Sequence, residues 1–294
     1  MSDVPTTLMV FVDGLGLGAP GPQNPIDSTR FPVLAAMLGN AVALDATMGV
    51  AGLPQSATGQ TALLTGVNAA KVLGGHREGF PNAELRQIIA NHNIFGRLQS
   101  RGYRCAFANA YYLRDTHARG RLRHRSVTTV ATLSAIGWVR DEDYLERGEA
   151  VYQDITRELL RPRGYRGPLI SEDRAAEHLV GIARKHDFTL FEYFQTDIAG
   201  HSGDMALACR VLGILDRFLG RVRELIKAAG GLLVVTSDHG NIEDMHSPAH
   251  TDNPVPLFAE GPGSGRLLAR VRSLPDLVPA LLELYPNRSP GIPV

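Results

Sequence analysis

Short apolar runs alternate along the chain with longer stretches in which apolar residues recur every three or four positions. The runs are apolar almost throughout, as strands buried on both faces of a parallel sheet are. Four runs are predicted to be strands: Leu8–Val12, Cys105–Ala108, Phe188–Phe194 and Leu232–Thr236. The longer stretches predict five helices: Thr58–Leu64, Ala83–Ser100, Ser171–Lys185, Asp204–Ala229 and Pro275–Leu284. The alternation predicts an α/β fold, a mostly parallel sheet sandwiched by helices.

Two helix starts and one departure from the alternation refine this prediction. Asp204 and Ser273 are placed to cap the last two predicted helices. Residues 111–167 are rich in arginine and acidic residues and carry turn signals such as Arg166-Gly167-Pro168. We interpret 111–167 as a small arginine-rich insertion or cap, and residues 1–110 and 168–294 as one α/β core.

Composition and charge narrow the class of protein. Of the 294 residues, 44% are hydrophobic, which excludes a disordered or collagen-like chain. The 30 basic and 30 acidic residues balance, so no net field favours nucleic acid or a membrane surface. The apolar run Leu8–Val12 is too short for a signal core or a spanning helix. With two cysteines and no disulfide framework, the sequence predicts a cytoplasmic protein and carries no indication of oligomeric state.

Carboxylates and imidazoles follow three of the four predicted strands, and one more imidazole lies in a later loop. The set consists of Asp13, Asp197, His201, Asp238, His239 and His250. In open α/β sheets, ligands gather beyond the carboxyl ends of the strands. We therefore expect these side chains to lie close together.

Each of these residues has an ordinary explanation when it is taken singly. An Asp-Gly pair after a strand is usually a turn, and a lone loop histidine is usually a surface residue. Together, Asp and His are ligands that suit Zn²⁺ or Mn²⁺. Six ligands exceed the number that one catalytic metal takes from protein, so two metal ions are predicted. Two-metal sites catalyse displacement at phosphorus or sulfur.

The stretch from Gly52 to Gly66 predicts a turn that leads into a helix. Ser56, at that junction, would lie beside the positive end of the helix, which favours an alkoxide and a phosphate oxygen. The alternative is that Ser56 only caps the helix.

The ordered set Asp13; Ser56; Asp197-x-x-x-His201; Asp238-His239; His250 resembles the alkaline phosphatase superfamily. The residues after Ser56, ending in Leu63-Leu64-Thr65-Gly66, are similar to the nucleophile helix of its sulfatases and phosphodiesterases, and that register selects Ser56. Within the superfamily, residues 197–201, 238–243 and 250–256 most resemble the cofactor-independent phosphoglycerate mutase and phosphopentomutase branch.

The resemblance implies an alkaline-phosphatase-like fold and a specific division of the metal ligands. One ion would be held by Asp197, His201 and His250. The other would be held by Asp13, Asp238, His239 and the Ser56 oxygen. The branch implies Mn²⁺, and the three imidazoles make Zn²⁺ an alternative. Ser56 would form a phosphoserine intermediate.

Two departures from the mutase pattern favour a hydrolase. The mutases carry a large inserted domain after the nucleophile, for which this chain has too few residues before Asp197. Their Asn-Ser-Glu-Val-Gly-His is replaced here by Gln-Ser-Ala-Thr-Gly-Gln. The first interpretation is therefore a phosphatase or phosphodiesterase. The alternatives are a phosphomutase for phosphoglycerate or a sugar phosphate, and a non-catalytic protein that binds metal or phosphate.

Candidate substrate contacts lie near the predicted ligands and in the arginine-rich segment. Thr58 and Asn241 lie near enough in sequence to help position phosphate. Arg119, Arg121 and Arg123 are candidates for anion recognition, because guanidinium groups match phosphate oxygens. The alternative for these arginines is a solvated loop. The predicted partner is a small phosphorylated substrate.

Overall fold

The computed structural model describes residues 4–26, 29–112 and 125–288. Its centre is a six-stranded sheet in the order β2-β6-β5-β1-β4-β3. The strands are β1 Thr7–Val12, β2 Val42–Leu44, β3 Cys105–Phe107, β4 Phe188–Tyr193, β5 Leu232–Thr236 and β6 Val255–Glu260. Strands β1, β3, β4 and β5 are parallel, β6 is antiparallel to β5, and β2 is antiparallel to β6. The predicted mostly parallel α/β sheet is confirmed, with β2 and β6 as additional strands.

Helices cover both faces of the sheet. They are α1 Pro32–Gly39, α2 Ser56–Thr65, α3 Ala69–Leu73, α4 Ala83–His92, α5 Ile94–Gln99, α6 Val127–Ala135, α7 Glu142–Glu146, α8 Glu172–Ala183, α9 Gln195–Ser202, α10 Met205–Ala228, α11 Ser264–Arg270 and α12 Leu277–Leu282. Two 3₁₀ turns occur at Glu158–Arg163 and Leu274–Asp276.

Alternation along β1 divides the interior into two hydrophobic cores, because successive side chains of a strand point to opposite faces. Met9 and Phe11 belong to the core that contains residues of α2, α4, α5, α6 and α12. Leu8, Val10 and Val12 belong to the core that contains residues of α1, α8 and α10. Strand β1 therefore lies between the two cores, and Asp13 follows it directly.

The predicted helix boundaries are confirmed in part. The side chain of Asp204 accepts hydrogen bonds from the backbone N–H groups of Ala206 and Leu207 and caps α10. Ser273 forms a capping box with Asp276 at the 3₁₀ turn before α12. The single helix predicted over 83–100 is two helices, because Asn93 is extended and its side chain caps α5.

The described part of the predicted insertion contains two kinds of structure. Helix α6 contributes Val127 and Val130 to the larger core beside α4 and α5. A separate small cluster contains seven of the described buried residues, among them Tyr112, Leu145 and Tyr152. The proposed boundary of the insertion stays a prediction. Within the described ranges, no helix combines the length and the hydrophobicity needed to cross a membrane.

Candidate metal centre

The order of the strands brings three loops to one edge of the sheet. Strand β1 lies between β4 and β5, and all three are parallel. Asp13 follows β1 directly, and Asp238 and His239 follow β5 after Ser237. Asp197 and His201 lie on α9, which begins just after β4 and places them one turn apart. Because parallel strands end at the same edge, these side chains converge at the carboxyl ends of the sheet.

The first group of ligand atoms surrounds Nε2 of His239. This atom lies 3.3 Å from Oδ1 of Asp13 and 3.5 Å from Oδ2 of Asp238. One ligand atom from each of the three buried residues lies within 4.8 Å of the others. The hydroxyl of Ser56 lies 3.0 Å from the same Nε2. The structure therefore brings together the four residues that the resemblance assigns to one metal.

The second group surrounds Asp197. Nε2 of His201 lies 3.4 Å from Oδ2 of Asp197, and Nε2 of His250 lies 3.6 Å from Oδ1. The two imidazole Nε2 atoms are 3.1 Å apart. His239 also reaches this group, because ligand atoms of Asp197, His239 and His250 lie within 4.8 Å of one another. The rings of His239 and His250 stack with centroids 3.7 Å apart.

Each of the three imidazoles turns its Nδ1 atom to a backbone carbonyl. The partners are Pro54 for His250 at 2.8 Å, Pro248 for His201 at 2.6 Å, and Gly240 for His239 at 3.4 Å. A carbonyl oxygen only accepts, so in the neutral form of each imidazole the proton belongs on Nδ1 and the lone pair on Nε2. Histidines that ligate metal ions are oriented by this kind of contact.

Burial and neighbouring charges shift the pKa values of the titratable groups in the centre. Burial raises the pKa of Asp238 well above its usual range, and the charge of Asp13 adds to this. The pKa of Asp197 is raised by the same two causes. Burial opposes the charged form of His239, but Asp238 and Asp13 outweigh it and raise its pKa to about 10. Burial and the charge of His239 lower the pKa of His250 to about 4.

The donor set of the centre fits divalent cations. Oδ1 of Asp13 and Oδ2 of Asp238 are buried without a hydrogen-bond donor. Leaving buried acceptors unsatisfied is costly, and three adjacent carboxylates repel one another. The Nε2 atoms of His201 and His250 face each other with no donor between them when both Nδ1 atoms are protonated. Cations bound among these atoms would satisfy all of them.

Ser56 is the first residue of α2, and Gln55 occupies the cap position. The hydroxyl of Ser56 contacts Nε2 of His239 instead of a backbone N–H group of its own helix. The alternative that Ser56 only caps the helix is therefore wrong. The helix places this hydroxyl at its positive end and against the ligand groups at once.

Glu243 is a buried residue to which the sequence assigned no role. Its carboxylate accepts hydrogen bonds from the backbone N–H groups of Gly16 and Asn241, both at 2.8 Å. It also accepts from Asn253 Nδ2 at 3.1 Å and from the hydroxyl of Thr251. One carboxylate thus ties together the loops after β1 and β5 and the loop before β6. The sequence feature that could have indicated this role is the position of Glu243 at the end of the motif formed by residues 238–243.

Two amide side chains orient the carboxylates. Nε2 of Gln60, one turn after Ser56, donates to Oδ2 of Asp13 at 3.0 Å. Nδ2 of Asn241 donates to Oδ1 of Asp197 at 2.9 Å. Asn241, predicted as a phosphate contact, therefore lies against a candidate metal ligand. The contact of Gln60 with Asp13 was not predicted from the sequence.

The other predicted substrate contacts have different surroundings. Thr58 is buried, and its hydroxyl donates to the backbone carbonyl of Gln55 at 3.1 Å and accepts from the Arg77 N–H group at 3.2 Å. Its predicted role toward phosphate stays a prediction. Arg119, Arg121 and Arg123 lie outside the described residues.

Comparison with known proteins identifies the family of this chain and the solved structures that share its fold. Residues 5–284 match the model of a family described as the metalloenzyme superfamily. A 2,3-bisphosphoglycerate-independent phosphoglycerate mutase of Cereibacter sphaeroides (strain ATCC 17025 / ATH 2.4.3) is 41% identical over 126 residues, which cover 40% of this chain and 24% of that protein. The corresponding protein of Desulforudis audaxviator (strain MP104C) is 35% identical over 123 residues, with the same coverage. Each match thus spans 24% of the length of the curated relative.

Among solved structures, the alkaline phosphatase from the Antarctic bacterium TAB5 superposes on 96% of this chain and 98% of its own, with a TM-score of 0.60 and 14% identity. At that identity the similarity shows a shared fold.

Proposed function

Because this chain belongs to the metalloenzyme superfamily, we propose that it is a two-metal-dependent phosphoryl-transfer enzyme that hydrolyses a phosphate ester through a phosphoserine on Ser56. The predicted resemblance to the alkaline phosphatase superfamily and its phosphoglycerate mutase-like branch is confirmed by the relatives and by the fold. We propose both this activity and its substrate, a small phosphorylated compound.

One observation carries the proposal. The Ser56 hydroxyl lies 3.0 Å from Nε2 of His239, among carboxylates that need cations. Asp13, Asp238, His239 and Ser56 would hold one ion, and Asp197, His201 and His250 the other. Bound there, divalent ions would lower the pKa of a coordinated hydroxyl or water and neutralise phosphoryl oxygens. Mn²⁺ and Zn²⁺ both fit a donor set of carboxylate oxygens and imidazoles.

The chain's own residues would act in two displacements. In the first, Oγ of Ser56 forms a bond to phosphorus as the ester P–O bond breaks, and the alcohol leaves with a proton. In the second, water attacks the phosphoserine, the Oγ–P bond breaks, and phosphate and the free hydroxyl result. Gln60 and Asn241 would keep Asp13 and Asp197 in place through both steps. The α2 N-terminus would stabilise charge on the transferred group.

A phosphomutase is the second candidate, and the identity with phosphoglycerate mutases supports it. In that reaction a hydroxyl of the substrate, rather than water, takes the phosphoryl group from Ser56. The two candidates share the metal centre and the phosphoserine, and they differ in what attacks the phosphoserine.

Activity of metal-stripped and reconstituted protein tests the proposal. The chain is loaded with Mn²⁺ or Zn²⁺ and assayed on p-nitrophenyl phosphate, on its bis-ester and on 3-phosphoglycerate. We expect nitrophenol release that requires metal and falls by about 10³-fold or more in Ser56→Ala. Ser100→Ala, at an exposed serine that ends α5, is the matched control and should keep full activity.

The outcomes separate the candidates. Isomerisation of 3-phosphoglycerate without release of phosphate would show a mutase and would contradict the hydrolase. Equal activity in Ser56→Ala and the unaltered chain would contradict the phosphoserine. A metal-loaded protein that transfers no phosphoryl group from any of the three compounds would favour a binding role.

A further inference from the structure

An aromatic cavity lies beside the candidate metal centre. Its volume is about 520 Å³, and Asp13, Ser56 and Asp197 line one end of it. Six aromatic side chains contribute to the rest of its wall: Phe80, Phe107, Tyr111, Tyr112, Tyr152 and Phe194. Cavities of ~300–1,000 Å³ hold ligands of drug-like size. The cavity is thus larger than a phosphoryl group needs, and it is continuous with the nucleophile.

Several rings of this wall are fixed in orientation. The hydroxyl of Tyr111 lies 2.6 Å from Oγ1 of Thr129. The hydroxyl of Tyr152 accepts a hydrogen bond from Arg163 at 2.6 Å. The rings of Phe107 and Tyr111 pack with centroids 6.5 Å apart. A wall that is ordered before binding loses little entropy when a ligand arrives, which favours affinity.

The described part of the wall carries two guanidinium groups and the buried carboxyl of Glu192. Among the described residues that line the cavity, the cations are Arg125 and Arg163. The guanidinium of Arg163 donates to the Tyr152 hydroxyl and the Tyr112 carbonyl, and it lies over the Tyr112 ring. Aromatic faces match a flat ring that stacks on them or meets them edge to face.

Two large apolar side chains of the wall are open to solvent. Phe80 is 53% exposed and Ile198 is 47% exposed. Ile198 follows Asp197 directly on α9, so this apolar surface begins at the metal centre. Exposed apolar area that rims a cavity is typical of a ligand-binding surface. A ring seated here would cover area that is otherwise exposed to water.

We propose that this cavity binds the organic group of the phosphate ester, and that this group contains an aromatic ring system. The proposal rests on the phosphoryl transfer proposed above, since it assigns the remainder of the same substrate. The phosphoryl group reaches Ser56 at one end, and the ring stacks against the tyrosine and phenylalanine side chains at the other.

Binding of two phosphonates of equal charge tests this assignment. Calorimetry compares 2-phenylethylphosphonate with propylphosphonate on the metal-loaded protein, where neither compound can be hydrolysed. We expect the aromatic compound to bind about 10-fold to 100-fold more tightly. Phe80→Ala and Tyr111→Leu should reduce this preference. Trp138→Ala, at an exposed aromatic residue outside the cavity lining, should leave it unchanged.

Hydrolysis of the matching esters is the second measurement. The alcohols of 2-phenylethyl phosphate and propyl phosphate are similar leaving groups, so a ratio of kcat/KM values reports binding of the ring. A binding preference below about 3-fold in the unaltered chain overturns the assignment. So does a preference that neither Phe80→Ala nor Tyr111→Leu reduces. Because Phe80 is exposed, its substitution tests the wall even where Tyr111→Leu weakens the fold.

The two measurements keep this inference apart from the proposed function. A strong binding preference without hydrolysis of either ester supports the aromatic site and contradicts the hydrolase. Hydrolysis of both esters at equal kcat/KM, with equal phosphonate affinities, supports the hydrolase and overturns the aromatic site.

Discussion

Oγ of Ser56 and Nε2 of His239 lie 3.0 Å apart, although 183 residues separate them in the chain. The same Nε2 faces the carboxylates of Asp13 and Asp238. A serine hydroxyl is a weak nucleophile at its ordinary pKa, and it needs a base or a cation to become reactive. The contact places the hydroxyl where the proposed cations would act on it.

The position of His239 between both ligand groups predicts an asymmetric loss of metal. Asp238→Asn and His250→Ala should each lower the content of reconstituted protein from about two ions to about one, because each residue belongs to one group. His239→Ala should lower it further, since ligand atoms of both groups lie within 4.8 Å of this imidazole. Elemental analysis after dialysis measures the content.

The matched control for this series is His246→Ala. His246 lies in the loop between His239 and His250, and its side chain is exposed. The His246→Ala protein should retain the full metal content. A His239→Ala protein that keeps as much metal as the His250→Ala protein would contradict the bridging position.

Glu243 is predicted to support the metal centre from behind. Glu243→Gln replaces one of the carboxylate oxygens that hold three loops together by an NH₂ group, which cannot accept from these donors. We expect metal affinity to fall by about 10-fold to 100-fold, as for other residues that orient ligands. Competition with a fluorescent chelator measures it.

Glu84→Gln, at an exposed glutamate in the first turn of α4, provides the comparison for Glu243. Its metal affinity should equal that of the unaltered chain. Equal affinities in Glu243→Gln and Glu84→Gln would show that the loops hold their positions without this carboxylate.

The sequence predicted the parts of the fold that have a strong local signal. The four parallel strands were found because their apolar runs are nearly unbroken, and five of the six candidate ligands because they follow three of those runs closely. Strand β2 has only three residues, and β6 contains Pro256 and follows Asn253-Pro254, so both have the local pattern of loops. Their pairing with each other and with β5 is a tertiary effect.

The surroundings of the ligands were harder to predict for the same reason. The contacts of Glu243 with Gly16 and of Gln60 with Asp13 join residues 227 and 47 positions apart. Nothing in the local sequence around these residues indicates their partners. The aromatic cavity likewise collects side chains from β3, from β4 and from residues within 109–112 and 125–153, which only the folded chain brings together.

Gly59 is predicted to be irreplaceable in α2. A Cβ atom there would lie 2.9 Å from the backbone oxygen of Asp238, closer than real contacts allow. Gly59→Ala should therefore push α2 away from the loop after β5 and lower the free energy of unfolding by about 1–3 kcal/mol. Gly181→Ala in α8, where a Cβ meets nothing within 4 Å, should instead stabilise by about 0.5–1 kcal/mol.

Urea unfolding of both glycine variants decides this prediction, and metal content gives a second measurement. Gly59→Ala should also lose metal at the Asp13, Asp238 and His239 group, because the backbone oxygen that the added Cβ crowds belongs to Asp238. A Gly59→Ala protein as stable as Gly181→Ala would show that α2 and this loop are not in the close contact described here.

Glu192 should give the metal-free protein a distinctive dependence of stability on pH. Its carboxyl lies buried in β4, and burial, with the charge of Asp13 adding to it, raises its pKa to about 8. The protonated form is favoured in the folded state, so its contribution to stability is complete below the unfolded pKa of about 4.5 and is lost as pH rises through about 8. The loss is at most about 1.4 kcal/mol per pH unit.

Glu192→Gln removes this titration while keeping the shape of the side chain. Urea unfolding at pH 5, 6, 7 and 8 should show the variant gaining on the unaltered chain as pH rises. Oγ1 of Thr128 donates to the Glu192 carboxylate at 2.7 Å and opposes the rise in pKa. In Thr128→Val the pKa of Glu192 should rise further, so the loss of stability with pH should extend to higher pH. Parallel stability curves for Glu192→Gln and the unaltered chain from pH 5 to 8 would show that Glu192 is already ionised in the folded protein.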